Sequence, residues 1–313
     1  MLEIIKNDFK IDFVKYFIPC LIFSFITVAG SLVGTFTSMN YGVDFRGGAE
    51  IQVKFGQKVS LDLLREHLSA KGFVGVMAQT MGNVEDNEYL IKVQADANQL
   101  NQVTQKIDTD LKQEFLSKGI EIRKIDIVGP KAGLQLRISG FLAMVWSILA
   151  IMIYVALRFE LKFAPGVIIA LVHDSCIVVG VYVVTQTPFT LQTVAAILAV
   201  IGYSVNDTVI IYDRIRENEI KYNHLSLKEQ INLAINETLS RTIITSGATL
   251  LTSLGLLFFG GDAIRDFSLA MSVGIVAGTY STIYIASPMT LFFDILEKRN
   301  KKKTTKNTTA LQS

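Results

Sequence analysis

The sequence has few residues that could form disulfides or bind metals, with two cysteines and three histidines among 313 residues. Cys20 and Cys176 both lie inside long apolar stretches, where a thiol behaves as a small hydrophobic group. Neither cysteine is therefore expected to form a disulfide or to bind a metal. Residues 37–133, the one long polar stretch, contain no cysteine, so the sequence leaves the redox state of their compartment open.

Charge is also scarce, at 19% of residues, and the formal net charge is only +2. Within residues 37–133 the basic and acidic residues nearly balance, which argues against a nucleic-acid surface because such a surface needs a basic stripe. Hydrophobic residues instead make up 50% of the chain and form runs long enough to cross a bilayer. We therefore expect an α-helical polytopic membrane protein with six transmembrane helices. The predicted spans are 13–36, 136–157, 163–185, 191–211, 242–259 and 267–296.

Lysine and arginine concentrate in alternate connections between these spans, and basic residues are retained on the cytoplasmic side of a membrane. They precede the first span, join spans two and three and spans four and five, and fill the tail, whereas residues 186–188 have none and residues 260–266 have only Arg265. Residues 1–12 and the basic tail 297–313 are therefore predicted to be cytoplasmic. The first span is too long for a cleaved signal segment, so we expect it to remain as an anchor.

Residues 37–133 are predicted to form a small extracytoplasmic α+β domain between the first two spans. Alternating and helical patterns follow one another in the order β-α-β-β-α-β, which indicates a ferredoxin-like fold. The block has no cluster of histidines or cysteines and no phosphate-binding glycine loop, and we interpret His67 as an exposed helix residue. A binding or coupling module is expected rather than an enzyme. The predicted strands are 49–55, 73–81, 88–94 and 120–128, and the predicted helices are 60–70 and 97–116.

The most informative residue is Asp207, a carboxylate inside the fourth predicted span. Ionisable groups are costly within a membrane helix, so they mark sites that pair charges, face water or move protons. Arg241 begins the fifth span from the same side of the membrane, and a buried pair between Asp207 and Arg241 is predicted if the two spans are neighbours. A static structural ion pair is the alternative to a proton-carrying role.

Asp174 is a second intramembrane carboxylate, near the middle of the third span and next to His173. Adjacent helical residues point about 100° apart, so these two side chains are not expected to share a face. Asp174 could pass protons along a polar route with Asn206 and Asp207, or it could simply hydrogen-bond a neighbouring helix. The sequence leaves both possibilities open.

Two further patterns concern packing within residues 134–296, which contain spans two to six. Residues 212–240 include an amphipathic segment that opens with a capping box at Ser226, and it is predicted to lie along the inner membrane surface. Gly274 and Gly278 form a GxxxG pattern in the sixth span, which allows close approach of another helix. Packing explains that pattern without a homodimer.

Two glycine-containing motifs mark the entry to the exported domain, Tyr41 to Gly48, and its exit, Val128 to Gly133. Paired glycines allow backbone conformations closed to other residues, and nearby polar side chains could fix the turn by hydrogen bonds. The turn chemistry alone indicates a structural elbow between membrane and domain, which could also transmit motion. The residues assigned to this structural or coupling role are Asp44, Arg46, Gly47, Gly48, Gly129 and Pro130.

These motifs, together with residues 172–174 and 202–218, resemble the SecF family of the bacterial Sec protein-export machinery. The resemblance extends from Tyr41 through the sixth span, and residues 202–218 are its most specific part. It implies a six-helix half of an RND-superfamily assembly, whose other half, SecD, carries a similar six-helix unit and a larger exported domain. In this family, Asp207 and Arg241 occupy the charged intramembrane positions.

The resemblance further implies that the two halves use the proton motive force to assist late translocation of unfolded preproteins through SecYEG, in the bacterial cytoplasmic membrane. SecD and SecYEG are the implied protein partners, with YajC and YidC as additional candidates, and the basic tail is expected to face membrane lipid. Neither catalysis nor a nucleic-acid partner is expected. No metal or cofactor is expected either, apart from the proton as coupling ion.

Three other functions stay open at this point. A proton-driven exporter half for small molecules or lipids would share the RND plan, but it would need a substrate tunnel that larger exported domains usually form. An intramembrane aspartyl protease would pair Asp174 with Asp207, although Asp207 is placed closer to the cytoplasm and Arg241 would hold it ionised. A pure scaffold would tolerate neutralisation of Asp207.

Overall fold

The structure of the chain, a computed structural model, describes residues 11–73, 76–81, 86–94, 99–159 and 162–310, without the side chains of residues 100, 262 and 300–310. Long helices dominate, and the described α-helices are α1 (Phe17–Ser38), α2 (Val43–Arg46), α3 (Leu61–Ala70), α4 (Leu100–Glu114), α5 (Pro130–Arg158), α6 (Ala164–Thr185), α7 (Leu191–Lys221), α8 (Leu227–Phe259), α9 (Asp262–Ser281) and α10 (Ser287–Ala310). A π-helical segment, Thr282–Ala286, joins α9 to α10 without a break.

Six helical stretches in the described part of the chain are long and apolar enough to cross a membrane. This confirms the prediction of a six-span membrane protein. The third, fourth and sixth spans form the interior of the bundle, whereas the others are mostly peripheral. The six stretches are Val14–Ser38, Pro130–Arg158, Ala164–Thr185, Leu191–Lys221, Leu227–Phe259 and Ala263–Arg299.

The domain between the first and second spans contains a four-stranded antiparallel sheet in the order β2-β3-β1-β4. Its strands are β1 (Gly48–Phe55), β2 (Met77–Met81), β3 (Glu88–Val93) and β4 (Ile120–Val128). With α3 between β1 and β2 and α4 between β3 and β4, this is the predicted ferredoxin-like fold. The second strand is shorter than predicted, and residues 74 and 75 of the predicted strand lie outside the described part of the chain.

The core of this domain follows from the alternation of β1. Ile51, Val53 and Phe55 point to one face of the sheet and are fully buried there, because α3 and α4 cover that face with Leu64 and Leu111. The intervening residues of β1 are polar or charged and only partly buried. Period-two alternation in one strand and helical spacing in the two helices therefore converge on one core.

His67 is not an exposed helix residue, and that interpretation was wrong. Its Nε2 lies 2.6 Å from Oδ2 of Asp110, so the imidazole joins α3 to α4, and Lys71 Nζ lies 2.7 Å from the other oxygen of Asp110. Partial burial alone would raise the pKa of Asp110, but the hydrogen bonds from Lys71 and His67 outweigh it and lower this pKa below its ordinary value. The pattern of α3 could not show this contact because Asp110 is 43 residues away.

The amphipathic segment does not form a separate helix along the membrane surface. The capping box at Ser226 starts α8, which then continues without interruption to Phe259, because no proline or glycine precedes Gly247. Ile231 and Ile235 of the apolar stripe are fully buried, so they pack against protein rather than lipid. The amphipathic pattern was real, but its apolar side faces the bundle.

Candidate functional site within the membrane spans

Asp174 lies at the junction of three buried helices. The Ser204 hydroxyl on α7 and the Ser281 hydroxyl at the end of α9 both donate to its Oδ2, at 2.7 Å and 2.8 Å. The carboxylate is completely buried. Because two hydroxyls from different helices converge on one oxygen, Asp174 fixes the positions of α6, α7 and α9 relative to one another.

His173 contacts Asp174 directly, contrary to the expectation from their helical angle. Its Nδ1 lies 3.0 Å from Oδ1 of Asp174, and its ring stacks on Tyr280 at 6.0 Å between centroids. Two adjacent side chains can meet in this way when both bend toward the same neighbouring helix. The second oxygen of Asp174 is therefore also occupied, and the Asp174 carboxylate has partners on both sides.

Asp207 lies one helical turn beyond Ser204 on α7 and is 1% exposed. The Ser246 hydroxyl of α8 donates to its Oδ2 at 2.9 Å, whereas its Oδ1 is buried with no hydrogen-bond partner among the described residues. The Thr242 hydroxyl, one turn before Ser246, is likewise buried without a partner. A carboxylate with one bonded and one open oxygen can accept a proton on the open side, which neutralises it in place.

Arg241 does not form the predicted ion pair with Asp207. It is exposed, and none of its nitrogens lies within 4.0 Å of either carboxylate oxygen, so its charge acts on Asp207 only through space. Ser246 and Thr242, four residues apart, occupy the face of α8 that meets Asp207, and Arg241 is rotated about 100° from Thr242. Asp207 contacts Ser246, which lies five residues beyond Arg241 along α8, so the predicted pairing missed both the face of the helix and the level of the contact by more than one turn.

Arg241 instead lines a cavity of about 330 Å³ between α7 and α8. Arg214 Nε binds Oε2 of Glu237 in its wall at 2.6 Å, and Asp213 at its edge binds Arg158 at 3.1 Å. Charged groups of both signs thus line the cavity together with Arg241. Its lining residues are Ile210, Asp213, Arg214, Glu217, Glu237, Thr238 and Arg241.

Asn206 does not lie on the polar route between the two carboxylates. Its side chain is exposed on α7, whereas both neighbours, Val205 and Asp207, are buried. The residue that stands between Asp174 and Asp207 is Ser204, since it bonds Asp174 and shares a face with Asp207 at a spacing of three residues. The inclusion of Asn206 in the predicted route was therefore wrong.

The structure also bears on the alternative of an aspartyl protease. That chemistry needs two carboxylates that share a proton. Asp174 and Asp207 share no hydrogen bond, because each binds serines of its own. This geometry does not match a catalytic dyad.

Close approach of α9 to α7 depends on the two glycines of the GxxxG pattern. A Cβ at Gly274 would collide with the side chain of Val200, and a Cβ at Gly278 would lie 3.0 Å from that of Ser204. The pattern therefore packs two spans of the same chain. The π-helical segment begins just after Ser281, and such segments are frequent at functional sites.

The elbow motifs pack against each other where the domain meets the membrane spans. Gly47 has φ +88°, which favours glycine, and a Cβ there would come within 3.0 Å of the Val128 carbonyl and of Pro130. A Cβ at Gly48 would collide with the carbonyl of Val93. Gly129 is the N-cap of α5, and Pro130 takes its first position, where the missing N–H is harmless.

The polar residues of the elbow reach beyond the turn itself. Arg46 Nη1 donates to Oε1 of Gln94 at 3.1 Å, which ties the elbow to the end of β3. Asp44 Oδ2 accepts a hydrogen bond of 2.9 Å from the backbone N–H of Leu191, the first residue of α7. Asp44 therefore caps, across 147 residues of sequence, the helix that carries Asp207.

Sequence reasoning missed the serines and threonines of this site. They are common in membrane helices and ordinarily bond their own backbone, so their type alone gives no signal. Their spacing did give a signal, because Ser204 and Thr208 are four residues apart around Asp207 and Thr242 and Ser246 are four residues apart on α8. The partner helix of each could not be read from the sequence.

A six-helix bundle with carboxylates buried in three of its spans, and a ferredoxin-like domain between spans one and two, defines an RND-type half of a membrane assembly. Comparison with family models is consistent with this class. The family model described as "Protein export membrane protein SecD/SecF, C-terminal" matches residues 108–295, and the model of the SecD/SecF GG motif matches residues 39–59. The chain belongs to the SecD/SecF family.

Relatives and solved structures agree. The protein translocase subunit SecF of Rickettsia akari (strain Hartford) is 42% identical over 302 residues, which covers 96% of this chain and 97% of the relative. That of Rickettsia felis is 43% identical over 304 residues, with the same coverage.

Crystallised SecDF from Thermus thermophilus, described as a translocon-associated membrane protein, is 33% identical with a TM-score of 0.75 and covers 93% of this chain. SecDF in its super-membrane-facing form is 34% identical with a TM-score of 0.73 and covers 96% of this chain. This chain spans 40% of the length of each SecDF chain.

Proposed function

We propose that this protein is an accessory, non-enzymatic subunit of the Sec translocase, and that with SecD it uses the proton motive force to assist translocation of unfolded preproteins. The family membership and the near full-length similarity to SecF subunits support the role in export. The observation that carries the proton-driven part is Asp207, buried between α7 and α8 with one oxygen bonded and one open.

In this proposal, a proton that binds Asp207 removes a buried charge and so changes the interaction free energy between α7 and α8. Ser246 would still be able to bond a neutral carboxyl, but the electrostatic attraction of Arg241 would be lost. Ser204, three residues away on the same face, would pass the shift to Asp174 and α9. The proton is thus the coupling ion, and no other cofactor is invoked.

The elbow would transmit this shift from α7 to the exported domain. Three hydrogen bonds clamp the elbow onto the start of α7: Phe189 N–H to the Asn40 carbonyl at 2.8 Å, Gly42 N–H to the Phe189 carbonyl at 2.9 Å, and Leu191 N–H to Asp44 at 2.9 Å. At about 1 kcal/mol each they contribute roughly 3 kcal/mol. One proton crossing 100 mV supplies about 2.3 kcal/mol, which is less than the free energy of the three hydrogen bonds. The elbow would therefore move with α7 rather than separate from it.

The placement in the cell belongs to the same proposal. The distribution of basic residues supports a bacterial cytoplasmic membrane protein with both termini in the cytoplasm and residues 37–133 outside. SecD is the proposed second half, because each SecDF chain is more than twice the length of this one and shares its fold. SecYEG is the proposed translocon, with YajC and YidC as further candidate partners.

The proposal is tested with Asp207→Asn, which keeps the size of the side chain and removes its ability to ionise. Inverted membrane vesicles that contain the complex with SecD are assayed for proton flux and for preprotein translocation with and without a proton gradient. Asp294→Asn is the matched control, since Asp294 is also mostly buried but pairs with Lys298 near the cytoplasmic end of α10.

We expect Asp207→Asn to abolish the gradient-dependent part of translocation while complex assembly is retained, and Asp294→Asn to leave it intact. Normal gradient-dependent export by Asp207→Asn would show that the carboxylate is structural and that the chain acts as a scaffold. Proton flux in the wild type without any effect on export would instead support an exporter of small molecules or lipids.

A further inference from the structure

An apolar groove of about 460 Å³ lies where α1, α5 and α6 meet below the exported domain. Its size is that of a small-molecule or lipid site. The elbow residues Tyr41 and Phe45 form its upper wall, and Phe141, Leu142 and Val179 line it toward the middle of the membrane. The groove thus runs along the bundle within the leaflet nearest the exported domain.

One cation, Arg137 of α5, stands at the upper end of this groove. Its Nη2 donates to the Phe45 carbonyl at 2.8 Å, and its Cζ lies 4.3 Å from the centre of the Tyr41 ring, so the guanidinium is held in place. Its Nε is buried without a hydrogen-bond partner, and within the described residues no carboxylate lies within 4.0 Å of it. Most of its donors are therefore unused.

The depth of Arg137 matches the level of lipid phosphates. It lies seven residues after the start of α5 at Pro130, which is about 10 Å along the helix. The residues before it include Lys131 and Gln135, whereas those after it are almost all apolar. Arg137 is thus at the border between the interface and the hydrocarbon, with the groove extending from it into the hydrocarbon.

We propose that this groove is a phospholipid-binding site, in which Arg137 binds the phosphate and the groove holds an acyl chain. A partly buried guanidinium without an acidic partner is costly, and an anion at this position offsets that cost. The planar fork of arginine suits phosphate oxygens, and basic pockets between membrane helices are known to bind lipid head groups. Apolar walls below the cation fit one chain of the same lipid.

The site has a mechanical consequence, because Arg137 also bonds Phe45 in the elbow. Phe45 stacks on Phe189 at 5.8 Å, and Phe189 precedes the start of α7. A lipid bound at Arg137 would therefore hold the elbow at a defined height relative to the membrane. A neutral apolar segment of another protein would fill the groove but leave the guanidinium without an anion, which is why a phospholipid is the favoured occupant.

The test uses the complex with its partner half, purified in a maltoside detergent that carries no phosphate. A trace of phosphatidylglycerol with a photoreactive group in its acyl chain is added, and labelling of α5 is measured by mass spectrometry. A diacylglycerol with the same photoreactive chain serves as the probe without phosphate. The variants are Arg137→Gln, Arg137→Lys and Leu142→Trp, and Leu251→Trp is the control on the exposed surface of α8.

We expect the wild type to be labelled by the phospholipid about tenfold to a hundredfold more than by the diacylglycerol, the scale of one charge-assisted hydrogen bond. Arg137→Gln should lose this preference and Arg137→Lys should keep part of it. Leu142→Trp, which fills the groove, should reduce labelling by both probes, whereas Leu251→Trp should not. Arg137→Gln tests the phosphate contact and Leu142→Trp the chain contact, so a folding defect in one variant leaves the other informative.

Equal labelling by the two probes, or an unchanged preference in Arg137→Gln, would overturn the phosphate site. Labelling confined to residues outside α5, with the groove covered by helices of the partner half, would overturn it as well. So would a photoreactive residue at Phe141 that crosslinks to a translocating preprotein and not to lipid.

Discussion

Replacement of Asp44 tests how the domain between spans one and two is connected to α7, the helix that contains Asp207. Asp44→Ala removes the carboxylate that accepts the N–H of Leu191 at the start of α7. Loss of such a cap costs about 1 kcal/mol, and loss of a negative charge at a helix N-terminus adds about 0.3–1 kcal/mol. The total of about 1.5 kcal/mol corresponds to roughly tenfold faster exchange of the amide hydrogens at the start of α7.

Hydrogen exchange and gradient-dependent translocation are measured on the same reconstituted complex. We expect Asp44→Ala to raise exchange in the first turn of α7 and to reduce the gradient-dependent part of export, while proton uptake by Asp207 persists. Asp44→Asn should give a smaller effect, because an amide oxygen can still accept the hydrogen bond. Asp62→Ala is the matched control, an aspartate in the first turn of α3 whose side chain is 93% exposed.

The reasoning would be refuted by one clear result. If Asp44→Ala exports like the wild type under a gradient and exchange at the start of α7 is unchanged, the hydrogen bond to Leu191 does not connect the domain to the helix. The elbow would then be a passive linker, as its turn chemistry alone allows.

Three further predictions concern stability and topology. Folding lowers the pKa of Asp110, so its contribution to stability is complete above the ordinary aspartate range, near pH 4, and is lost as the pH falls through the lowered pKa. Asp110→Asn should therefore flatten the acid limb of a denaturation curve for the complex. Gly274→Ala forces a side chain into α7 and should cost about 1–3 kcal/mol, seen as a lower Tm, whereas Gly247→Ala, with open space around it, should not. A cysteine at Lys106 should react with an impermeant reagent in intact cells, and one at Lys302 should not.

Each of these predictions has a clear contradiction. An acid limb that is the same in Asp110→Asn and the wild type would mean that the contacts of Asp110 do not stabilise the domain at low pH. Equal melting of the two glycine variants would show that α9 can move away from α7 at no cost. Labelling in the reverse pattern would invert the proposed orientation.

The sequence alone was sufficient for the six spans and for the order of elements in the domain between spans one and two. Apolar runs of that length indicate membrane spans. The alternation of β1, together with the helical spacing of α3 and α4, specifies the buried face of the sheet. Asp207 was also recognisable, because a carboxylate within an apolar run is rare whatever the surrounding fold. These are properties of single segments, which a linear pattern contains.

The partners of each polar group were decided only by the tertiary structure. Neither the rotation of a helix about its axis nor the exact level at which two helices meet can be read from the sequence, so Arg241 was paired with Asp207 although Ser246, five residues further along α8, faces it. Asp44 caps α7 for the same reason, since nothing in the local turn indicates a contact 147 residues away. Local pattern determined which residues lie in the membrane, and packing of one helix against another determined which of them meet.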